Sequence, residues 1–192
     1  VIRGPGSAVW GANAMSGVVN VITKTPAQLG NAFRIKAGGG ERGSAYGSII
    51  FSGVRDRWSY KFSGAYATQE PWDRPGPLPN GTPRDTFRNE GTEQPKFDFR
   101  IDKTIDDASS FTFSGGYAGT GGIAHTGIGP FSVLEGSKMM YGRVDYNRDA
   151  LHIRAYANRM DGTGINLLNG LDFIFKTDTF NGSISNTSVL AD

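Results

Sequence analysis

The chain of 192 residues contains no cysteine, which is compatible with the cytosol and with an envelope protein that needs no disulfides. It also lacks any apolar run of the ~18 to 20 residues that a membrane helix requires, so a helical membrane protein is excluded. Charge of one sign is not in excess. Lys+Arg number 20 and Asp+Glu 18, a formal net charge of +2. No basic cluster is interleaved with aromatics, and nucleic acid is not an expected partner. The two histidines, His125 and His152, stand apart without metal-ligand spacing, so no metal or cofactor is expected. No Ser/His/Asp or Cys/His arrangement can be assembled, and an enzyme is not expected. No signal peptide precedes the first motif, and the chain reads as an internal piece of a longer protein.

Glycine is abundant, 28 of 192 residues, while aromatics make up 11%, hydrophobic residues 38% and the mean hydropathy is −0.35. Such a composition suits a transmembrane β-barrel, where only every second strand residue must face lipid. Period-two alternation is what the chain carries. Phe33, Ile35 and Ala37 alternate with Arg34 and Lys36. Further on, Trp58, Tyr60, Phe62, Gly64 and Tyr66 oppose Ser59, Lys61, Ser63, Ala65 and Ala67. Phe97, Phe99 and Ile101 oppose Asp98, Arg100 and Asp102. The same split recurs over 110–117, 140–147 and 151–158, a less regular strand is expected over 44–53, and a last one over 176–188. Eight strands result.

Their connections form a second pattern. Short turns are expected over 54–57, 106–109 and 147–150, and long connections over 69–95, 121–137 and 161–175, with 38–43 short. Alternating tight and long ends along a meander is the layout of an outer-membrane barrel. A β-sandwich rarely places Trp and Tyr at both ends of an apolar stripe.

The opening stretch, residues 1–24 (VIRGPGSAVWGANAMSGVVNVITK), has a different composition. It reads as a strand over 1–3, a glycine-proline turn, a short helical turn over 7–10, a small-residue corner and a second strand over 18–23, after which Pro26 ends the strand and 27–29 form a linker. Ile2, Arg3, Gly4, Pro5, Trp10, Gly11, Ala14, Gly17, Val18, Val19, Asn20, Val21, Ile22, Thr23 and Lys24 follow the pattern that ends the plug domain of TonB-dependent outer-membrane receptors. The stretch resembles that family, with Trp10 where the family more often has Tyr.

The resemblance implies an all-β chain in which residues 1–26 are the C-terminal end of a plug and 27–192 are the N-terminal part of a transmembrane antiparallel up-and-down β-barrel. Eight strands could close a small barrel, but its interior would be filled by its own side chains and leave no room for a plug. The resemblance therefore implies the first eight strands of a 22-stranded barrel. The implied function is active transport of a scarce nutrient (a ferric siderophore, cobalamin or a glycan) across the bacterial outer membrane, driven through the plug by the inner-membrane TonB-ExbB-ExbD complex. Outer-membrane lipid and the small-molecule nutrient are the other implied partners. Arg3 is implied to lock the plug to barrel carboxylates. The alternatives are a passive pore or surface receptor/adhesin, and a soluble β-rich carbohydrate-binding module.

Other motifs read as structure. Gly38, Gly40 and Gly43 match a dinucleotide fingerprint, but a strand rather than a helix follows. Asp98 and Asp102 alternate with Arg100 on a polar strand face, and Asp106 and Asp107 form a turn, so calcium and paired-acid readings give way to a solvated lumen. Three Asn-x-Ser/Thr sequons carry no glycosylation reading for a bacterial envelope protein. In the long connection 69–95, Trp72, Arg74, Arg84 and Arg88 form a candidate ligand-facing loop, stiffened by prolines and partly cationic.

Overall fold

A computed structural model describes residues 2–3, 17–18, 22–71, 91–126 and 129–187. Two short strands, β1 (Ile2–Arg3) and β2 (Gly17–Val18), pair antiparallel, with Arg3 in register with Gly17. A helical turn, α1 (Pro26–Leu29), leads into β3 (Ala32–Gly39), β4 (Ala45–Arg55), β5 (Trp58–Gln69) and β6 (Thr92–Thr104). Then come β7 (Ser109–Thr126), β8 (Gly129–Arg148), β9 (Leu151–Asn166) and β10 (Asp172–Asn186). Strands β3 to β10 form one eight-stranded sheet in sequence order, each antiparallel to the next. The all-β, up-and-down meander expected from the alternation is therefore present.

The tight turns fall where expected. Asp56 and Asp149 take left-handed φ values of 53° and 48° in the β4–β5 and β8–β9 turns. Aspartate tolerates that region because its short side chain bonds locally to the backbone.

Three expectations need correction. The stretches 121–137 and 161–175 are not long connections: β7 and β8 run on together up to the pair Thr126 and Gly129, and β9 and β10 up to Ile165 and Asp172. Glycines there interrupt the alternation, and the register slips at Thr120/Gly122 and Val133/Lys138. Gly122 and Gly136, with φ of 125° and 87°, accommodate those bulges. The expected 27–29 linker is instead helical. Thr25 caps it, accepting from the Gln28 N–H at 3.2 Å while its own N–H donates to Gln28 Oε1 at 2.9 Å, and Pro26 takes the first position. Finally, of the second opening strand Gly17–Val18 pairs in a ladder, residues 22–25 belong to no strand, and 19–21 lie outside the described residues. The helical turn expected over 7–10 lies outside the described residues.

Each face of the sheet keeps one chemistry. One register row runs Phe33, Phe51, Phe62, Phe99, Gly115, Gly142, Ala157, Phe180 across all eight strands. This apolar face lies open, with Phe33 at 63% and Phe180 at 79% exposure. Its aromatics pack on one another: Phe99 lies edge-on to Phe113 at 5.3 Å, and Phe51 is tilted against Tyr60 at 5.6 Å. Charged residues border it at both ends. Ten residues separate Glu93 from Lys103 on β6, and ten separate Lys138 from Arg148 on β8, with no charge on that face between them. The opposite face carries the polar rows.

Candidate functional site

The polar face curls around a concavity of about 910 Å³ lined from Arg34 on β3 to Arg154 on β9. Two adjacent register rows of the polar face run along it: Lys61, Arg100, Ser114, Arg143, and below them Ser59, Asp102, Thr112, Asp145, Arg154, of which Ser59 and Asp102 stand outside the lining. Side chains two residues apart on one strand share a face, so each cation can reach the carboxylate one row on. Arg100 Nε donates to Asp102 Oδ1 at 2.9 Å, and the Thr112 hydroxyl donates to the same oxygen at 2.6 Å. Arg143 Nη2 and Arg154 Nε both donate to Asp145 Oδ1, at 2.8 and 2.6 Å. Asp145 is buried, and two guanidinium groups offset the cost of removing its charge from water.

The chain from Ile22 onward lies against this wall at the short-turn end. Thr23, Lys24 and Leu29 line the concavity. The Lys61 ammonium donates to the Lys24 carbonyl at 3.3 Å, the Ser52 hydroxyl to the Gly30 carbonyl at 2.7 Å, and the Val54 N–H to Asn31 Oδ1 at 2.8 Å. Pro26 is fully buried, seating α1 against β4, β5 and β6.

Lys36, Lys61, Asp98, Arg100, Asp102, Arg143, Asp145 and Arg154 share one face, as the alternation implies, and all but Lys36 and Asp102 line the concavity. Of the opening motif, the backbone of Arg3 and Gly17 is paired, whereas Gly4, Pro5, Trp10, Gly11, Ala14 and Asn20 lie outside the described residues. So do Trp72, Arg74, Arg84 and Arg88. No group of three or more potential metal-ligating side chains occurs among the described residues.

Sequence reading missed Tyr141, whose hydroxyl donates to Asp98, and the trio Phe131, Phe173 and Phe175, with ring centroids 5.8 and 5.9 Å apart beyond the β8–β9 bulge. Tyr141 falls on the polar side of the alternation, which was its signal. The phenylalanine trio had none, because the register slip hides its face. No protein-family model, curated protein or solved structure matches the chain.

Proposed function

We propose that the sheet is part of an outer-membrane β-barrel and that the protein actively imports a small nutrient through it, as a TonB-dependent receptor. The slope and height of the apolar band carry the membrane reading. Arg159 and Asp178 are in register with Phe97 on β6, four residues short of Glu93, so the upper charged border descends between β6 and β9. At ~3.3 Å per residue and ~4.8 Å per strand, that descent is about 13 Å over about 14 Å of sheet, a slope near 40°. Between β6 and β8 the lower border descends too, from Lys103 through its register partners Phe111 and Tyr146 to Arg148 two residues on, while Arg55 on β4 stays level with Lys103. Strands of transmembrane barrels tilt by roughly 35–45°. At that tilt a ten-residue interval between charges stands about 25 Å tall, the height of an outer-membrane apolar band. Trp58, held under Lys103 at 4.8 Å, and Tyr66 mark the two ends of β5 as interfacial aromatics do.

The transport reading rests on the opening motif and on the side from which it arrives. A plug inside a barrel must join the first strand from the lumen, at the end with the tight turns. Lys24 and α1 lie on the polar face at that end. A passive pore or an adhesin has no use for such a segment across its lumen. The polar, charge-laddered wall suits a hydrated passage that the plug closes until it is pulled.

The deciding experiment is uptake by the full-length protein in cells with and without a functional TonB-ExbB-ExbD complex, screening ferric siderophores, cobalamin and oligosaccharides under starvation. Uptake of one nutrient that disappears without the complex supports the reading. Uptake indifferent to the complex refutes it in favour of a passive pore.

A further inference from the structure

The cations of the polar wall are unevenly matched. On β6 and β8 an arginine is followed two residues on by its own aspartate, Arg100 by Asp102 and Arg143 by Asp145. On β5 the residue in register with Arg100 is Lys61, while the residue in register with Asp102 is Ser59. The cation is kept without an acid in the row below it; the carboxylate diagonal to it, Asp98 on β6 in register with Ser63, accepts from the Tyr141 hydroxyl and forms no ion pair with Lys61. Lys61 thus faces Arg100 directly across the ladder, an arrangement of like charges that costs stability. It is only 8% exposed, and among the described residues its ammonium is met by a single neutral carbonyl, that of Lys24. Arg34 and Lys96, exposed on the same wall, also pair with no carboxylate among the described residues. The described segment laid over the wall, residues 22–31, does not supply one, since it contains no aspartate or glutamate.

We infer that the wall over β3 to β6 binds a small solute bearing two or more negative charges, carboxylate or phosphate, at Arg34, Lys61 and Lys96, with Arg100 at its margin. A buried ammonium that forms no ion pair among the described residues raises the local potential, and a concave low-dielectric wall concentrates it. A multivalent anion is the partner that lowers this energy by most, because it meets several cations at once. Combined with the transport reading, the anion is the cargo or part of it. The binding site itself does not depend on that reading.

The test is calorimetric titration of the full-length protein in detergent with pyrophosphate as the polyvalent probe and raffinose as a neutral one. Pyrophosphate is expected to bind, raffinose not, and the affinity for pyrophosphate to fall as salt rises through the range where exposed charges are screened. Arg34→Gln with Lys96→Gln is expected to weaken binding about tenfold; both residues are exposed, so the double variant keeps its fold. Lys61→Met adds a further loss where that variant folds. Absence of pyrophosphate binding, or an affinity unchanged in Arg34→Gln/Lys96→Gln, overturns the inference. Energy-independent uptake in cells would refute the transport reading while leaving the titration result standing.

Discussion

Tyr141 reaches Asp98 across an intervening strand because Gly116 stands between them. The three share one register row, Asp98 on β6, Gly116 on β7 and Tyr141 on β8, and the tyrosine hydroxyl donates to Asp98 Oδ2. A Cβ at position 116 would lie 2.6 Å from the Tyr141 ring and 2.8 Å from the Phe97 carbonyl. The ring could swing away, but the backbone oxygen could not. Gly116→Ala is therefore expected to destabilise the folded protein by about 1–3 kcal/mol through overpacking. Tyr141→Phe, which loses only an exposed hydrogen bond, should cost about 1 kcal/mol. Urea unfolding of the two variants in lipid vesicles checks the order; a neutral Gly116→Ala would mean that Tyr141 does not cross there.

Asp145 organises the wall more than either arginine it binds. It is 6% exposed, whereas the side chains of Arg143 and Arg154 are 43% and 52% exposed. Removing one arginine leaves the carboxylate with the other. Removing the carboxylate leaves two cations in adjacent strands without a counter-charge. Asp145→Asn should cost about 1–3 kcal/mol and Arg154→Gln less than about 1 kcal/mol, since the exposed partner is screened by water. A double-mutant cycle on the pair measures this, and equal costs for the two single variants would contradict it.

The strands and their faces were legible because alternation survives wherever large apolar and charged residues take turns, as in Trp58 to Tyr66 or Phe97 to Asp102. Above Thr120 it fades. Gly121, Gly122, Gly129 and Gly136 carry no side chain to declare a face, and two bulges reset the parity, so the strand extensions and the Phe131–Phe173–Phe175 trio stayed hidden. The α1 turn was written in Thr25, Pro26 and Gln28 as a capping box. The expectation that Pro26 ends a strand is not met, since residues 22–25 belong to no strand; its role is at the first position of the helix. The compensated charge ladder was visible as residue types on one face. That Lys61 faces Arg100, with Ser59 opposite Asp102, was not, because this appears only when β5 and β6 are set in register.

Asp106 gives the β6–β7 turn a defined pH response. Its carboxylate accepts from the Ser109 hydroxyl and from the Ala108 N–H at 2.9 Å, and these bonds hold its pKa below the ordinary 3.8. A depressed carboxylate pKa contributes stability above the unfolded-state value, and that contribution is lost as pH falls through the folded-state one. The stability difference between wild type and Asp106→Asn should therefore be constant from pH 8 down to about pH 5 and shrink only below about pH 4. Unfolding midpoints measured across that range check it. A difference that changed around neutrality would assign the turn's pH response to another group.

The open apolar face makes its own demand on the surroundings. Gly142 lies at its centre, in register with Gly115 and Ala157, with empty space where a Cβ would project. On β10 in the adjoining polar row, Asn181 points to the opposite face. If the band lies in a bilayer, a cysteine at position 142 carrying a fluorophore meets acyl chains, and one at 181 meets the aqueous lumen. The chain has no native cysteine to interfere. In vesicles, brominated acyl chains should quench the label at Gly142→Cys strongly and the label at Asn181→Cys weakly, with aqueous iodide reversing the order. Gly142→Arg should in turn cost about 2–4 kcal/mol of folding free energy in the bilayer, against little for Asn181→Arg, because a guanidinium near the midplane has no water to solvate it. Equal quenching at the two positions would place both faces in one medium. The ten-residue interval between Lys138 and Arg148 would then measure something other than a membrane.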